Sequence, residues 1–172
     1  MGLKKTTTVT HLEMLRQPSL SCPSPRGKFA LMRAERPPIH FYRYLYDTVG
    51  RDYFWVTRKA LSDQELAEII HDDQIHIFIL YLNGCPAGFS ELDLRQMPNA
   101  DLSFLGILPE FLGLGLGRFL LCETIEMAWM HHPQKLTVQT CTLDHPNALP
   151  LYQRNGFTPC GQEVIELEAP ED

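Results

Sequence analysis

Residues 102–108 are an apolar segment that runs into Pro109, and glycines at 113, 115 and 117 then open a run carrying Leu120 and Leu121. Proline has no amide hydrogen to give to a strand ladder, and alternating glycines supply backbone conformations closed to other residues. The pattern therefore demands a strand, a glycine turn and a helix over residues 115–130. Such a helix start leaves unpaired N–H groups and partial positive charge, and it attracts phosphate. Glycines at 113, 115 and 117 remove the Cβ atoms that would hold a diphosphate off those amides, and they allow nest-like turns. The dinucleotide fingerprint fails because Arg118 stands at its third glycine position and the turn comes late in the chain. The P-loop pattern fails for want of the Gly-Lys-Ser/Thr ending.

A second constellation follows a strand's length downstream, with Asn147, Ala148, Leu151, Tyr152, Gly156 and Phe157. The two elements, in this order and spacing, resemble the GNAT superfamily of acyl-CoA N-acyltransferases over residues 75–157. The usual form of that family's coenzyme A turn is Gln/Arg-Gly-x-Gly-hydrophobic-Gly/Ala. The chain matches it at Gly113, Gly115, Leu116 and Gly117 and departs from it at Leu112. The resemblance implies an α+β (mixed α/β) fold. Its central sheet is mostly antiparallel, splayed between two central strands and flanked by helices. It implies acetyl-CoA as cosubstrate and direct attack by a primary amine in a ternary complex, on a small molecule or a peptide. It also implies that Gly106, Ile107 and Leu108 meet the pantetheine arm from the splayed strand, with Leu112, Gly113, Leu114, Gly115, Leu116, Gly117 and Arg118 around the phosphates. Asn147 is expected to hydrogen-bond pantetheine. Tyr152 is expected to touch the cofactor and to return a proton to the thiolate.

An attacking amine must first lose a proton. Glu91 alternates with Ser90 and Leu92 beside the expected cofactor strand, which makes it the candidate base or acceptor contact. Its competing role is that of a salt-bridged strand residue. Phe41, Tyr42, Tyr44, Tyr46, Phe54 and Trp55 cluster upstream, where the resembled family borders its acceptor. Cys141, Asp144 and His145 sit too close in sequence for a triad, so Cys141 reads as a buried thiol. An acyl-CoA-binding protein that kept the fold without catalysis is the alternative to an enzyme.

Around these motifs the periodicity gives strands at 6–14, 28–33, 75–82, 87–94, 102–108 and 135–142, and a final pair after Gly156. Helices fall at 39–49, closed by Gly50, and at 62–70, opened by Ser62 with Glu65 three residues on. The dipeptide Asn83-Gly84 marks a hairpin. Residues 1–27, a strand and a proline-rich loop, precede a single acyltransferase domain at 28–172. A net charge of −6 argues against a nucleic-acid surface. Five scattered cysteines without a C-x-x-C pair read as reduced thiols of a cytoplasmic protein, and no zinc spacing occurs. Neither a secretory leader nor a membrane span is expected, because charges and glycines interrupt the apolar stretch at 102–122. The resemblance also allows a homodimer.

Overall fold

Alternating buried and open positions assemble one seven-stranded sheet in the computed structural model, which describes residues 2–171. The strands are β1 (Lys4–Met14), β2 (Phe29–Arg33), β3 (Ile75–Leu82), β4 (Cys85–Asp93), β5 (Asn99–Ile107), β6 (Lys135–Cys141) and β7 (Thr158–Glu168). They lie in the order β2-β3-β4-β5-β6-β1-β7. Every neighbouring pair is antiparallel except β5 and β6. Among the described residues the α-helices are α1 (Ile39–Gly50), α2 (Asp63–Ile70), α3 (Leu116–Trp129) and α4 (Ala148–Arg154), with short 3-10 turns at Arg51–Tyr53 and Pro109–Phe111. This is the mixed α+β architecture expected from the sequence.

The period of two in β3 sorts the core into two layers. Ile75, Ile77 and Ile79 pack with Tyr42, Leu45, Tyr46 and Val49 of α1 and with Leu66 and Ile70 of α2. Phe78, on the opposite face, joins Leu121, Ile125 and Trp129 of α3. Local signals hold where they rest on one residue's chemistry. Asn83 and Gly84 both take positive φ in the β3–β4 turn, and Ser62 and Glu65 form a reciprocal capping box at α2.

Three expectations change. The segment after Phe157 is one long strand, β7, paired along β1 with a single irregularity, because β1 is long enough to receive it whole. Gly50 ends α1 with right-handed dihedrals, so it is no left-handed cap. Its hydrogen makes room for Trp55 instead: a Cβ there would stand 2.6 Å from Cγ of that indole. Cys22, in the proline-rich loop, is disulfide-bonded to Cys122 on α3, so the cysteines are not all free thiols. β1 lies between β6 and β7, so the N-terminal strand is interior to the sheet. Among the described residues, no cluster of His, Cys, Asp and Glu could hold a metal ion, and no helix is long and apolar enough to cross a membrane.

Candidate active site

The parallel pair β5 and β6 hydrogen-bonds only from Asn99–Lys135 to Leu102–Val138, although β5 continues to Ile107 and β6 to Cys141. Past Leu102 the strands part, and a cavity of about 830 Å³ fills the opening. That volume suits a ligand-binding cleft, for which ~300–1,000 Å³ is usual. The cavity lies outside the carboxyl ends of two parallel strands, where loops can gather side chains around a ligand.

The glycine turn forms one end of this cavity. Gly113 and Gly115 take φ of +79° and +76°, with nothing within 4 Å of where a Cβ would stand. Gly115 is the N-cap of α3, and no side chain caps that helix. Its first amides therefore remain available to an anion. Gly113, Gly115, Leu116, Gly117, Arg118 and the 44% exposed Leu112 all line the cavity. Leu114, 59% exposed, is not among the lining residues. The Arg118 guanidinium donates to the Ser21 carbonyl at 3.4 Å, which ties α3 to the proline-rich loop near the disulfide.

On β5 the amides divide by the alternation of an antiparallel ladder. Leu108 N–H donates to Ala87 O at 2.8 Å, and Leu108 does not line the cavity, so its amide is spent on β4. By the same alternation Gly106 turns its backbone groups to β4, while Leu105 and Ile107 present theirs to the gap. Gly106 lines the cavity, but its missing side chain has a packing cause: a Cβ would run into Val49 of α1.

The opposite wall comes from the loop after β6 and from α4. Asn147, Ala148, Leu151 and Tyr152 line it. The Tyr152 hydroxyl makes no hydrogen bond among the described residues. Burial pushes its phenol well above the ordinary tyrosine range, and the nearby charge of Asp144 adds to the effect. Tyr152 is therefore a neutral O–H donor facing the cavity at any working pH. His145 accepts from the Asn147 N–H through Nδ1 at 3.1 Å, which shapes the entry to α4.

Glu91 is placed elsewhere. It is 0% exposed, accepts from the Tyr42 hydroxyl at 2.6 Å and from Arg58 Nη2 at 2.6 Å, and does not line the cavity. This is the salt-bridged strand role, because β4 is covered on both faces and only a paired charge survives there. Contact with an acceptor would require the pair to open. The Arg58 guanidinium also lies 5.3 Å from the centre of the Phe104 ring, which does line the cavity. Glu91 thus supports that wall from behind.

Sequence reasoning missed Asp144 as a wall residue, together with Tyr53, Phe104 and Phe111. For Asp144 a signal existed, since an acidic residue directly after a strand that leads to a ligand-facing helix stands at the carboxyl end of the sheet. The aromatic side chains carry no such mark, because their spacing also fits the core.

A family model described as an acetyltransferase (GNAT) domain matches residues 47–167, well over half of the chain. No curated protein sequence matches it. Among solved structures, a functionally unknown conserved protein from Staphylococcus epidermidis ATCC 12228 is similar at a TM-score of 0.67 and 17% identity, covering 97% of this chain and 64% of that one. The GCN5-related N-acetyltransferase from Sphaerobacter thermophilus gives 0.71 and 13%, covering 95% and 52%. The IAA acetyltransferase from Bacillus cereus ATCC 14579 gives 0.57 and 18%, covering 74% and 75%. At such identities the likeness establishes the fold alone. The chain spans about half to two thirds of the length of the first two.

Proposed function

Because the chain belongs to the GNAT acetyltransferase family, we propose that it transfers the acetyl group of acetyl-CoA to the nitrogen of a primary amine. The observation that carries this reading is the single cavity that runs from the uncapped glycine start of α3, along the unpaired edge of β5, to Tyr152. The residues fit the donor: glycines without Cβ atoms at the helix start for its diphosphate, and gap-facing β5 amides for its pantetheine arm. Acetyl-CoA supplies an activated thioester.

The protein's part is to hold both reactants in one cleft, which replaces a bimolecular encounter by a positioned one. Gap-facing amides of Leu105 and Ile107 polarise the thioester carbonyl, and a well-aimed donor of this kind is worth ~3 kcal/mol in the transition state. The free amine forms the new C–N bond as the C–S bond breaks. One amine proton passes to solvent water, the thiolate takes one from the Tyr152 hydroxyl, and solvent returns a proton to the tyrosinate. The exchange is proton-neutral for a free amine and releases one proton for an ammonium.

Titration calorimetry with acetyl-CoA and with NAD, followed by thiol release in the presence of amines, tests this. Micromolar acetyl-CoA binding without NAD binding, and thiol release that depends on amine, are the expected results. Acetyl-CoA binding with no release for any amine would favour a non-catalytic acyl-CoA-binding protein. Binding of neither ligand would overturn the site, with the apolar Leu112 as the first suspect.

A further inference from the structure

The acceptor half of the cavity is more specific than the family likeness requires. Among the described lining residues Asp144 is the one carboxylate, while the two arginines, Arg118 and Arg154, belong to α3 and α4. Asp144 is held in a fixed pose: its Oδ2 accepts from Thr140 Oγ1 at 2.6 Å and from the Cys141 amide at 2.9 Å. Its Oδ1 receives only a long bond of 3.4 Å from the Trp55 indole. A carboxylate has about four acceptor sites, so Oδ1 keeps capacity for a strong donor. It lines the cavity together with Tyr53 and Tyr152.

The wall around Asp144 is flat, aromatic and rigidly seated. Trp55 lies against Gly50, stands 3.3 Å from the point where a Gly106 Cβ would be, and packs on Tyr46 and Phe104 at centroid distances of 5.4 and 5.2 Å. Tyr53 meets the His145 ring edge-on at 6.0 Å, so the loop after α1 and the loop after β6 close on each other. Phe54 holds left-handed dihedrals, φ 58° and ψ 44°. For a bulky residue that conformation costs ~1–2 kcal/mol, and such strain persists where a site demands a particular side-chain direction.

We propose that the acceptor is a monoamine carried on an aromatic or similarly flat apolar body, with its nitrogen held at Asp144 Oδ1 and its body against Tyr53, Trp55 and Phe104. The inference rests on the N-acetyltransferase reading. A polyamine or other polycation would leave its remaining charges against aromatic rings with no second carboxylate. A free amino acid would bring its own carboxylate beside Asp144.

The test measures thiol release with 2-phenylethylamine, tryptamine, n-butylamine, spermidine, alanine and an alanine-led tripeptide, after acetyl-CoA binding has been established by calorimetry. The aromatic amines are expected to exceed n-butylamine in kcat/KM by about tenfold or more. Asp144→Asn should raise KM for 2-phenylethylamine about tenfold. Its acetyl-CoA dissociation constant should stay unchanged, and Asp144→Glu should recover part of the loss. If the Asn variant folds poorly, Trp55→Phe supplies the second reading: a several-fold larger rise in KM for aromatic amines than for n-butylamine. Preference for spermidine, alanine or the tripeptide overturns the acceptor assignment while leaving the acetyltransferase reading intact. Transfer to no amine by protein that binds acetyl-CoA but not 2-phenylethylamine overturns the acceptor assignment and favours the non-catalytic acyl-CoA-binding protein. Absence of acetyl-CoA binding overturns both.

Discussion

Gly117→Ala separates two reasons for a glycine at the second position of α3. A methyl group there would meet only Ile107 Cγ1, at 3.7 Å, an ordinary contact. Gly117 is absent from the residues with positive φ, so alanine fits its backbone. The unliganded fold should gain ~0.5–1 kcal/mol from the lower entropy of the unfolded chain and the better helix propensity. For a chain of this size that is a rise in Tm of about 1–4 °C. Helical Cα–Cβ bonds tilt toward the N-terminus, so the same methyl leans over the open amides of the glycine turn. Losing one charge-assisted hydrogen bond costs about 1.5–3 kcal/mol, which weakens acetyl-CoA binding by about one to two orders of magnitude. Gly115→Ala is the contrast: its φ of +76° costs an L-residue ~1 kcal/mol, so Tm should fall. Thermal melts and calorimetry on both variants decide the matter. A Gly117→Ala protein with raised Tm and an unchanged acetyl-CoA dissociation constant would refute the close approach of phosphate to this helix.

Tyr152→Phe should lower kcat at least tenfold while leaving the acetyl-CoA dissociation constant within about twofold, read by steady-state kinetics beside calorimetry. Undiminished kcat would return Tyr152 to packing against Phe157. Because the phenol is shifted upward by burial, Tyr152 stays protonated past its ordinary value of 10.0. Activity should therefore rise with pH as the amine deprotonates, and a descending limb below about pH 10 would contradict its role as acid. The same shift makes Tyr152 contribute stability that is intact below the unfolded pKa and lost as pH climbs through the folded one. Glu91→Gln strands Arg58, whose side chain is 12% exposed, without a counter-charge. The expected cost is about 3 kcal/mol or more, a Tm fall of about 6–12 °C. A Tm unchanged within about 1 °C would show that the pair carries little. Cys22→Ser should remove a 22–122 cross-linked peptide from a non-reducing digest and destabilise by about 2–4 kcal/mol. Finding both thiols free in the native protein would contradict the pairing.

Sequence reading reached those features that depend on a residue's own backbone chemistry. Glycines at 113 and 115, Asn83-Gly84 and Ser62 with Glu65 each take up dihedrals or hydrogen bonds specified within a few positions. It failed where the cause lies across the fold. Gly50 read locally as a cap and Gly106 as part of the cofactor strand, yet both are small because α1, β5 and the Trp55 indole crowd together there. Glu91 read as a strand carboxylate near the cofactor. Only the tertiary structure brings Arg58 and Tyr42 from distant segments to consume both its oxygens. The pairing of Glu91 has a physical corollary for the site. With Glu91 committed inside the sheet, the carboxylate left facing the cavity is Asp144, and the same Trp55 that explains two glycines donates to it. The proposed acceptor pocket is therefore coupled to the packing of α1 on β5: enlarging Gly50 or Gly106 would move Trp55 and remove its long bond to Asp144 Oδ1. A Gly106→Ala protein that kept its fold would be expected to retain acetyl-CoA binding, because the glycine turn is untouched, and to lose its preference among amines. Equal loss of both would place Gly106 on the donor side of the cleft after all.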